Sequence, residues 1–209
     1  MSAFDPVVGV LALQGDVVEH TRALEQCSVR VVPVRRPDEL ATVDAMVLPG
    51  GESTTIDKLL RAFELMAPLR ERIRNHMPVL GSCAGMILLA DRVQDAAAHQ
   101  QSIGGLDIVV RRNAFGRQID SFEERLHAPA LGAGPQDSPM AAVFIRAPLV
   151  MAVGAGVEVL ARVRNGPHAG RIAAVRQGVL MATAFHPEIS ADHRVHRAFV
   201  ALLRQSRKQ

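Results

Sequence analysis

The sequence lacks tryptophan and tyrosine altogether, and only seven of its 209 residues are phenylalanine. Its core must therefore be aliphatic, and a hydrophobic content of 48% is ordinary for a globular protein. Nucleic-acid binders commonly stack bases on aromatic rings and carry a basic stripe. This chain has few rings, and its basic residues, all but two of them arginine, are scattered along the sequence. We therefore expect no nucleic-acid partner.

Cysteine and long apolar segments are also scarce. Cys27 and Cys83 are the only cysteines, which is too few for a disulfide framework. The N-terminal region has no basic segment of the kind that begins a secretory signal. No apolar stretch approaches the ~20 residues of a membrane-spanning helix. The sequence therefore predicts a cytoplasmic protein without a membrane partner.

Short apolar segments alternate with helical patterns through the first part of the chain. Such alternation predicts an α/β fold, in which a mostly parallel sheet carries helices on both faces. Residues 165–170 turn one later strand into the next and add a small antiparallel hairpin region. We expect one domain over residues 1–209. The predicted strands are 7–13, 29–34, 45–48, 78–80, 106–112, 142–146, 157–164, 171–176 and 179–185.

The predicted helices include 55–62 and 64–75, and another closes the chain. Ser53 or Thr54 is expected to cap the first of them, and Ser190 or Asp192 the last. The stretches 91–105 and 128–139 are polar or rich in proline and glycine, so we interpret both as loops.

The segment Gly81-Ser82-Cys83-Ala84-Gly85 joins a short apolar strand to a helix. A strand, a tight glycine-flanked turn and a helix are the setting of a nucleophile elbow, here with cysteine in the serine position. The positive end of a helix also favours a thiolate at this place. The alternative interpretation is a buried structural cysteine in a glycine-rich loop.

The last predicted strand ends in His186-Pro187-Glu188. Residues two apart project to the same side of an extended segment, so Glu188 can hold one imidazole nitrogen of His186 while the other faces a nucleophile. Cys83 would thereby gain a base and an orienting carboxylate, which is the logic of a catalytic triad. Alternatively, His186 simply ends a strand and Glu188 begins a helix cap.

His193 and His196 lie one helical turn apart, as a pair of metal ligands can. Because metal sites need three or four ligands and the sequence offers no third one nearby, we predict no metal and no cofactor.

Together these motifs resemble the class I, or triad, glutamine amidotransferases, whose glutaminase domain is a flavodoxin-like α/β fold with a Cys-His-Glu triad. The similarity is closer to one branch, the glutaminase subunits of pyridoxal 5′-phosphate synthase. Residues 95–101 and 165–170 do not belong to this pattern, which leaves loop lengths and partner contacts open. The segments that resemble the branch are 9–16, 48–55, 81–90, 112–122, 143–148 and 185–194.

The resemblance implies a role for each matching residue. Cys83 is the expected nucleophile, His186 its base and Glu188 the orienting carboxylate. The backbone N–H groups of Gly51 and Ala84 are the expected oxyanion hole. Arginine suits the α-carboxylate of an amino acid through its bidentate fork, although surface ion pairs and a simple glycine turn remain alternatives. The residues expected to bind L-glutamine are Gly51, Glu52, Ser53, Arg112, Ile145 and Arg146.

The resemblance also implies a reaction, the hydrolysis of L-glutamine to L-glutamate and ammonia through a γ-glutamyl thioester. Ammonia would pass to a separate synthase subunit, which makes pyridoxal 5′-phosphate from ribose 5-phosphate and glyceraldehyde 3-phosphate. Since a glycine-rich loop costs entropy to fix, we expect weak activity until that partner orders the loop at Gly50-Gly51.

Two alternative functions stay open at this point. One is a glutaminase subunit of histidine or aminobenzoate biosynthesis, against which the segment 112–122 argues. The other is a non-hydrolytic sensor or stress-response protein with the same cysteine elbow. The His-Pro-Glu pattern argues against the second, because a sensor needs no oriented base.

Overall fold

A computed structural model describes residues 5–112, 121–132 and 136–207 of the chain. Within these ranges, strands and helices alternate through the first half, and strands predominate in the second. The strands are β1 (Val7–Leu11), β2 (Arg30–Val34), β3 (Ala45–Leu48), β4 (Val79–Ser82), β5 (Ala90–Gln94), β6 (Leu106–Arg111), β7 (Phe122–Leu126), β8 (Met140–Phe144), β9 (Leu149–Val153), β10 (Glu158–Arg162), β11 (Ile172–Gln177) and β12 (Leu180–Thr183). The helices are α1 (Val17–Glu25), α2 (Pro37–Ala41), α3 (Ser53–Ala62), α4 (Met66–Arg74), α5 (Ala84–Leu89) and α6 (Arg194–Ser206).

The central sheet has seven strands in the order β10-β11-β12-β4-β3-β1-β2. From β12 to β2, all neighbouring strands are parallel. Every residue of β1, β3, β4 and β12 is buried, as expected for parallel strands that are covered on both faces. The order β2-β1-β3-β4-β12 is that of a flavodoxin-like, doubly wound sheet, so the predicted fold class is confirmed.

The two edges of this sheet differ in construction. At one edge, β2 contains Pro33, which has no backbone N–H and is tolerated on an edge strand. At the other edge, β11 pairs antiparallel with both β12 and β10, which confirms the predicted hairpin region. Two further small sheets are β5-β6-β9 and β7-β8.

The helices form two groups. Helix α1 contacts α6, whereas α3 contacts α4 and α5, and α4 contacts α2. Right-handed crossovers between parallel strands place these groups on opposite faces of the sheet. The core between them is aliphatic, and Phe185 and Phe199 are its largest fully buried side chains. Among the described residues, no helix is both long enough and apolar enough to cross a membrane.

The parallel strands end at one common edge of the sheet. There the chain leaving β1 carries Asp16, and the chain leaving β3 carries Glu52. At the same edge, Cys83 follows β4 and His186 lies shortly after β12. Ligands of open α/β sheets bind at this edge, so the fold gathers residues that are far apart in the sequence.

Three strands occur where the sequence patterns do not indicate them. The loop predicted over 91–105 is wrong in its first residues, which belong to β5 and pair with β6. Strands β7 and β9 are not predicted at all, and they pair with β8 and β6. The loop predicted over 128–139 contains a 3-10 turn, Pro129–Leu131. Pairing with a distant strand, rather than local apolar content, accounts for these elements.

The N-terminus of α3 is capped by Glu52, not by Ser53 or Thr54 as predicted. The Glu52 carboxylate accepts hydrogen bonds from the backbone N–H groups of Thr54 (3.0 Å) and Thr55 (2.7 Å). A glutamate here satisfies two of the unpaired donors at the helix end. The helix therefore begins two residues earlier than the predicted 55–62.

The N-terminus of α6 also differs from its prediction. The capping position is His193, whose side chain makes no capping hydrogen bond, rather than Ser190 or Asp192. Asp192 nevertheless contributes there, because its Oδ1 accepts hydrogen bonds from the backbone N–H (3.2 Å) and Nε (2.8 Å) of Arg194.

Gly85 allows α5 to pack closely against β3. A Cβ atom at position 85 would lie 3.0 Å from both the carbonyl carbon and the Cβ of Leu48, and closer still to its carbonyl oxygen. Alanine favours a helix over glycine by about 1 kcal/mol, but this collision with backbone outweighs the gain. We expect Gly85→Ala to lower the free energy of unfolding by about 1–3 kcal/mol, measured by urea denaturation.

Gly156→Ala is the matched control, because an added Cβ at position 156 meets no atom within 4 Å. Its free energy of unfolding should stay within about 0.5 kcal/mol of the wild-type value. Equal stability of the two variants would show that the packing of α5 on β3 tolerates a methyl group.

Candidate active site

Cys83 stands at the turn between β4 and α5 in a strained backbone conformation. Its φ of 47° and ψ of −101° are unusual for a residue with a side chain and fit a nucleophile elbow. Its backbone N–H donates to the carbonyl oxygen of Thr183 in β12 at 2.8 Å, which ties the turn to the sheet. The thiol lies 3.8 Å from the carbonyl oxygen of Ile145 and borders a cavity. The predicted elbow is therefore present.

His186 and Glu188 follow β12 and contact one another. The His186 Nδ1 atom lies 2.8 Å from Glu188 Oε1, and both residues are buried. The backbone N–H of His186 donates to the carbonyl oxygen of Val143 at 2.8 Å, so strand β8 helps to hold the histidine. His186 borders the same cavity as Cys83. The structure thus brings the three residues of the predicted triad together.

Asp16 is a second carboxylate on His186, and the sequence motifs did not single it out. Its Oδ2 lies 3.2 Å from His186 Nδ1. Burial of the imidazole disfavours its charged form, but hydrogen bonds with Asp16, Cys83 and Glu188 raise the pKa of His186 to about 12. The bond to His186 in turn lowers the pKa of Asp16. His186 is therefore an imidazolium at neutral pH.

The cluster of Asp16, His186 and Glu188 has the spacing of a metal site, since its potential ligand atoms lie within 4.8 Å of one another. However, the proton on His186 Nδ1 bridges both carboxylates, and an imidazolium does not bind a metal ion. Hydrogen bonding accounts for the grouping without a cation.

The loop after β3 brings backbone groups to the cavity. Gly51 has a φ of 152°, and a Cβ there would lie 2.6 Å from Gln14 Oε1. That oxygen also accepts a hydrogen bond from the backbone N–H of Glu52 at 2.8 Å. The positive φ, which residues with a side chain rarely adopt, favours glycine at position 51. Gly51 and Ala84, the predicted oxyanion-hole residues, both border the cavity.

Glu52 presents an ionised carboxylate at the cavity. Partial burial opposes ionisation, but hydrogen bonds from the backbone and hydroxyl groups of Thr54 and Thr55 lower the pKa of Glu52 to about 2. The Thr55 hydroxyl donates at 2.8 Å. The negative charge of Glu52 is therefore permanent at neutral pH.

Arg112 is buried and connects two loops at the cavity. Its Nη2 donates to Glu52 Oε1 at 3.1 Å, and its Nη1 donates to Gln100 Oε1. Gln100 Nε2 donates in turn to Ser53 Oγ at 3.2 Å. Each terminal nitrogen of a guanidinium carries two hydrogens, so among the described residues one hydrogen on each terminal nitrogen of Arg112 is left for a ligand. Glu52 and Gln100 hold this fork in place.

Ile145 and Arg146 also border the cavity. Ile145 presents its carbonyl oxygen to the Cys83 thiol, and Arg146 is exposed with a φ of 45°. The segment 112–122, which carried part of the resemblance, is described only at Arg112 and at residues 121–122. Residues 113–120 lie outside the described ranges.

These groups surround one cavity of about 290 Å³. Its volume and polar lining suit a molecule of amino-acid size. It is bordered by every predicted site residue except Glu188, which lies behind His186. The lining residues are Gln14, Asp16, Gly51, Glu52, Ser53, Cys83, Ala84, Ile87, Arg112, Ile145, Arg146, His186 and Ile189.

Several residues at this site are not among those predicted from the sequence. Gln14 and Asp16 follow β1 at the carboxyl edge of the sheet, so the rule that ligands bind at this edge could have found them. Gln100 had no such signal, because it belongs to the stretch 95–101 that lies outside the recognised pattern. Its contact with Arg112 depends on a loop whose course the sequence does not indicate.

Known proteins that are similar to this chain agree with the resemblance found in its sequence motifs. A model of the SNO glutamine amidotransferase family matches residues 10–205. The chain is 62% identical over 205 residues to the pyridoxal 5′-phosphate synthase subunit PdxT of Kineococcus radiotolerans, covering 98% of each chain. It is 63% identical over 198 residues to the protein of the same name from Acidothermus cellulolyticus, covering 95% of this chain and 94% of that one. A crystal structure of a glutamine amidotransferase is 42% identical, with a TM-score of 0.83 over 94% of this chain and 98% of that chain.

Asp16→Asn removes one of the two negative charges on the His186 imidazole. We expect the pKa of His186 to fall by about 1 to 3, because an opposite charge at hydrogen-bond distance has an effect of this size. An NMR titration of the His186 ring protons measures the change. The ring of the variant should begin to lose its proton at a lower pH than the wild-type ring.

Asp95→Asn serves as the control, because Asp95 is an exposed carboxylate that pairs with Arg111 at 3.8 Å. The pKa of His186 should be unchanged in this variant. If the pKa of His186 were also unchanged in Asp16→Asn, the proposed ion pair between Asp16 and His186 would be wrong.

Proposed function

The chain belongs to the SNO glutamine amidotransferase family, and on that premise we propose that it is the glutaminase subunit of a pyridoxal 5′-phosphate synthase. It hydrolyses L-glutamine to L-glutamate and ammonia. The ammonia passes to a partner synthase subunit, which uses ribose 5-phosphate and glyceraldehyde 3-phosphate. We further propose that residues 1–209 form one glutaminase domain and that the protein is cytoplasmic, in keeping with its two unpaired cysteines.

One observation carries the assignment of the chemistry. A histidine bound at 2.8 Å to a buried carboxylate shares a cavity with a cysteine on a strained elbow. This arrangement provides a nucleophile, a proton carrier and an orienting group around a space of amino-acid size.

The proposed reaction begins when Cys83 Sγ, as a thiolate beside the protonated His186, attacks the side-chain carbonyl carbon of glutamine, whose oxygen becomes an oxyanion. His186 donates its proton to the departing nitrogen, the C–N bond breaks, and ammonia leaves a γ-glutamyl thioester on Cys83. The neutral His186 then takes a proton from a water molecule that attacks the thioester. Glutamate departs and the starting state returns. Glu188 and Asp16 both bind Nδ1, which leaves Nε2 of His186 for these proton transfers.

The oxyanion of each tetrahedral intermediate needs hydrogen-bond donors that are already in place. We assign this role to the backbone N–H groups of Gly51 and Ala84, because both residues border the cavity together with Cys83. Such donors commonly lower the barrier more than any other single contribution. Because a glycine-rich loop costs entropy to fix, the position of the Gly51 N–H is what a partner subunit can control.

The charges at the cavity suit the two ends of an amino acid. The ionised Glu52 supports binding of the α-ammonium group, and the remaining N–H groups of Arg112 support binding of the α-carboxylate. Ser53, Ile145 and Arg146 border the same space and complete the proposed glutamine site.

The two alternative functions are not favoured. A sensor that only binds glutamine has no need of an imidazolium held by two carboxylates. A role in histidine or aminobenzoate biosynthesis is opposed by the name that the similar proteins of Kineococcus and Acidothermus carry.

Ammonia release from L-glutamine tests the proposal directly. We expect slow release by the purified chain and several-fold faster release once a pyridoxal 5′-phosphate synthase subunit is added, because fixing a glycine-rich loop costs entropy. Cys83→Ala should abolish release by the complex. Cys27→Ala should leave it intact, since the Cys27 thiol is buried against the carbonyl oxygen of Ala23, at 3.3 Å, in α1.

Each arm of this experiment can fail separately. Hydrolysis that survives Cys83→Ala would refute the assigned nucleophile. Equal rates with and without the synthase subunit would refute activation through the loop, while the hydrolase assignment would stand.

Arg112→Lys tests how the substrate is held. Lysine keeps the charge but loses the planar fork, so we expect the KM for L-glutamine in the complex to rise about tenfold, with little change in kcat. The neighbouring substitution Arg111→Lys is the control, because Arg111 Nε donates to Gln94 Oε1 (3.2 Å) on β5 and does not border the cavity. An equal KM in the two variants would contradict the proposed contact with the α-carboxylate.

A further inference from the structure

Two histidines lie buried behind Glu188, and the proposed reaction does not use them. His20 in α1 and His196 in α6 are both 0% exposed. His20 Nε2 lies 3.3 Å from Glu188 Oε2 and 2.9 Å from Ser82 Oγ. On its other side, His20 Nδ1 lies 3.0 Å from His196 Nε2. A continuous line of polar groups therefore runs from His186 through Glu188 and His20 to His196.

Both histidines are neutral. Burial, together with repulsion from His196 and His186, lowers the pKa of His20 well below its ordinary value. Burial and the nearby His193 lower the pKa of His196 to about 4. A neutral imidazole has one N–H and one acceptor nitrogen. Each ring therefore exists as one of two tautomers, with its proton on Nδ1 or on Nε2.

The tautomer of His20 determines whether Glu188 Oε2 faces a hydrogen-bond donor or a lone pair. Glu188 Oε2 is buried and, within the described ranges, makes no hydrogen bond of ordinary geometry. If His20 carried its proton on Nδ1, a lone pair on Nε2 would face this carboxylate oxygen at 3.3 Å and repel it. With the proton on Nε2, His20 turns a donor toward both Ser82 Oγ and Glu188 Oε2 instead.

His196 constrains the tautomer of His20 from the other side. When His20 carries its proton on Nε2, its Nδ1 is an acceptor, and the atom it meets at 3.0 Å must donate. His196 Nε2 then carries the His196 proton. The two rings therefore share a single direction of hydrogen bonding, which points toward Glu188.

We propose that His20 is a positioning residue of the glutaminase reaction, which donates its Nε2–H toward Glu188 and is kept in that tautomer by His196. Glu188 then receives a donor on each oxygen, from His186 Nδ1 and from His20 Nε2. The carboxylate cannot rotate away from His186 without losing the second contact. This inference rests on the proposed function of Glu188, and it extends the triad from the sheet edge into helices α1 and α6.

The first test reads the tautomers directly and needs no activity. Long-range ¹⁵N–¹H correlation spectra of the ¹⁵N-labelled, full-length chain at neutral pH distinguish protonated from unprotonated ring nitrogens. We expect His20 and His196 each to carry one proton, on Nε2. A proton on Nδ1 of His20, in a neutral or a charged ring, would overturn the proposal.

The second test measures the reaction in the complex with the synthase subunit. His20→Leu should lower kcat about tenfold or more with KM for L-glutamine nearly unchanged, because a misaligned base loses part of the 10²–10⁴-fold that general acid–base catalysis contributes. His20→Gln keeps an amide N–H near the place of Nε2 and should restore most of kcat. If both variants lose kcat equally, or if neither does, His20 only fills space in the core and the proposal is wrong.

Leu203→Ala controls for loss of stability, because Leu203 is buried in α6 yet lies outside this line of polar groups. Its kcat should equal that of the wild type although its free energy of unfolding falls. Failure of the proposed function would appear differently, as a wild-type complex that releases no ammonia. The NMR test would still decide the tautomer of His20 in that case.

Discussion

The arrangement of this protein depends on keeping the carboxylate of Glu188 ionised although its side chain is fully buried. Burial raises the pKa of Glu188, so the charge persists only where donors and a positive charge are placed against it. His186 supplies both at 2.8 Å. The sheet and the two helix groups exclude water from the carboxylate, and that exclusion gives the ion pair with His186 its strength.

The sequence was sufficient for the features that depend on local patterns. Continuous apolar segments separated by helical ones predict parallel central strands, and β1, β3, β4 and β12 are such strands. Cys83 and His186 could be placed at one edge because each follows a central strand directly. Glycines beside Cys83 and a proline after His186 identify those turns without any knowledge of tertiary structure.

Other features depend on contacts between distant segments, and the sequence does not indicate them. The sequence pattern predicts a polar loop at β5, because this segment is a strand only through its pairing with β6. The sequence around Gln100 does not indicate a site residue, because only the fold brings Arg112 and Ser53 into contact with it. Glu52 is not a preferred capping residue, yet it caps α3 because its carboxylate lies between the helix end and Arg112.

The position of β12 between β4 and β11 has a consequence for the order in which the site is assembled during synthesis. His186 leaves the ribosome more than a hundred residues after Cys83. Throughout that interval the elbow strand has an open side, Cys83 lies apart from His186, and its backbone N–H has no contact with the carbonyl oxygen of Thr183. A nascent chain therefore lacks the complete cavity until the last central strand is inserted into the sheet, so the site forms in one late step of folding.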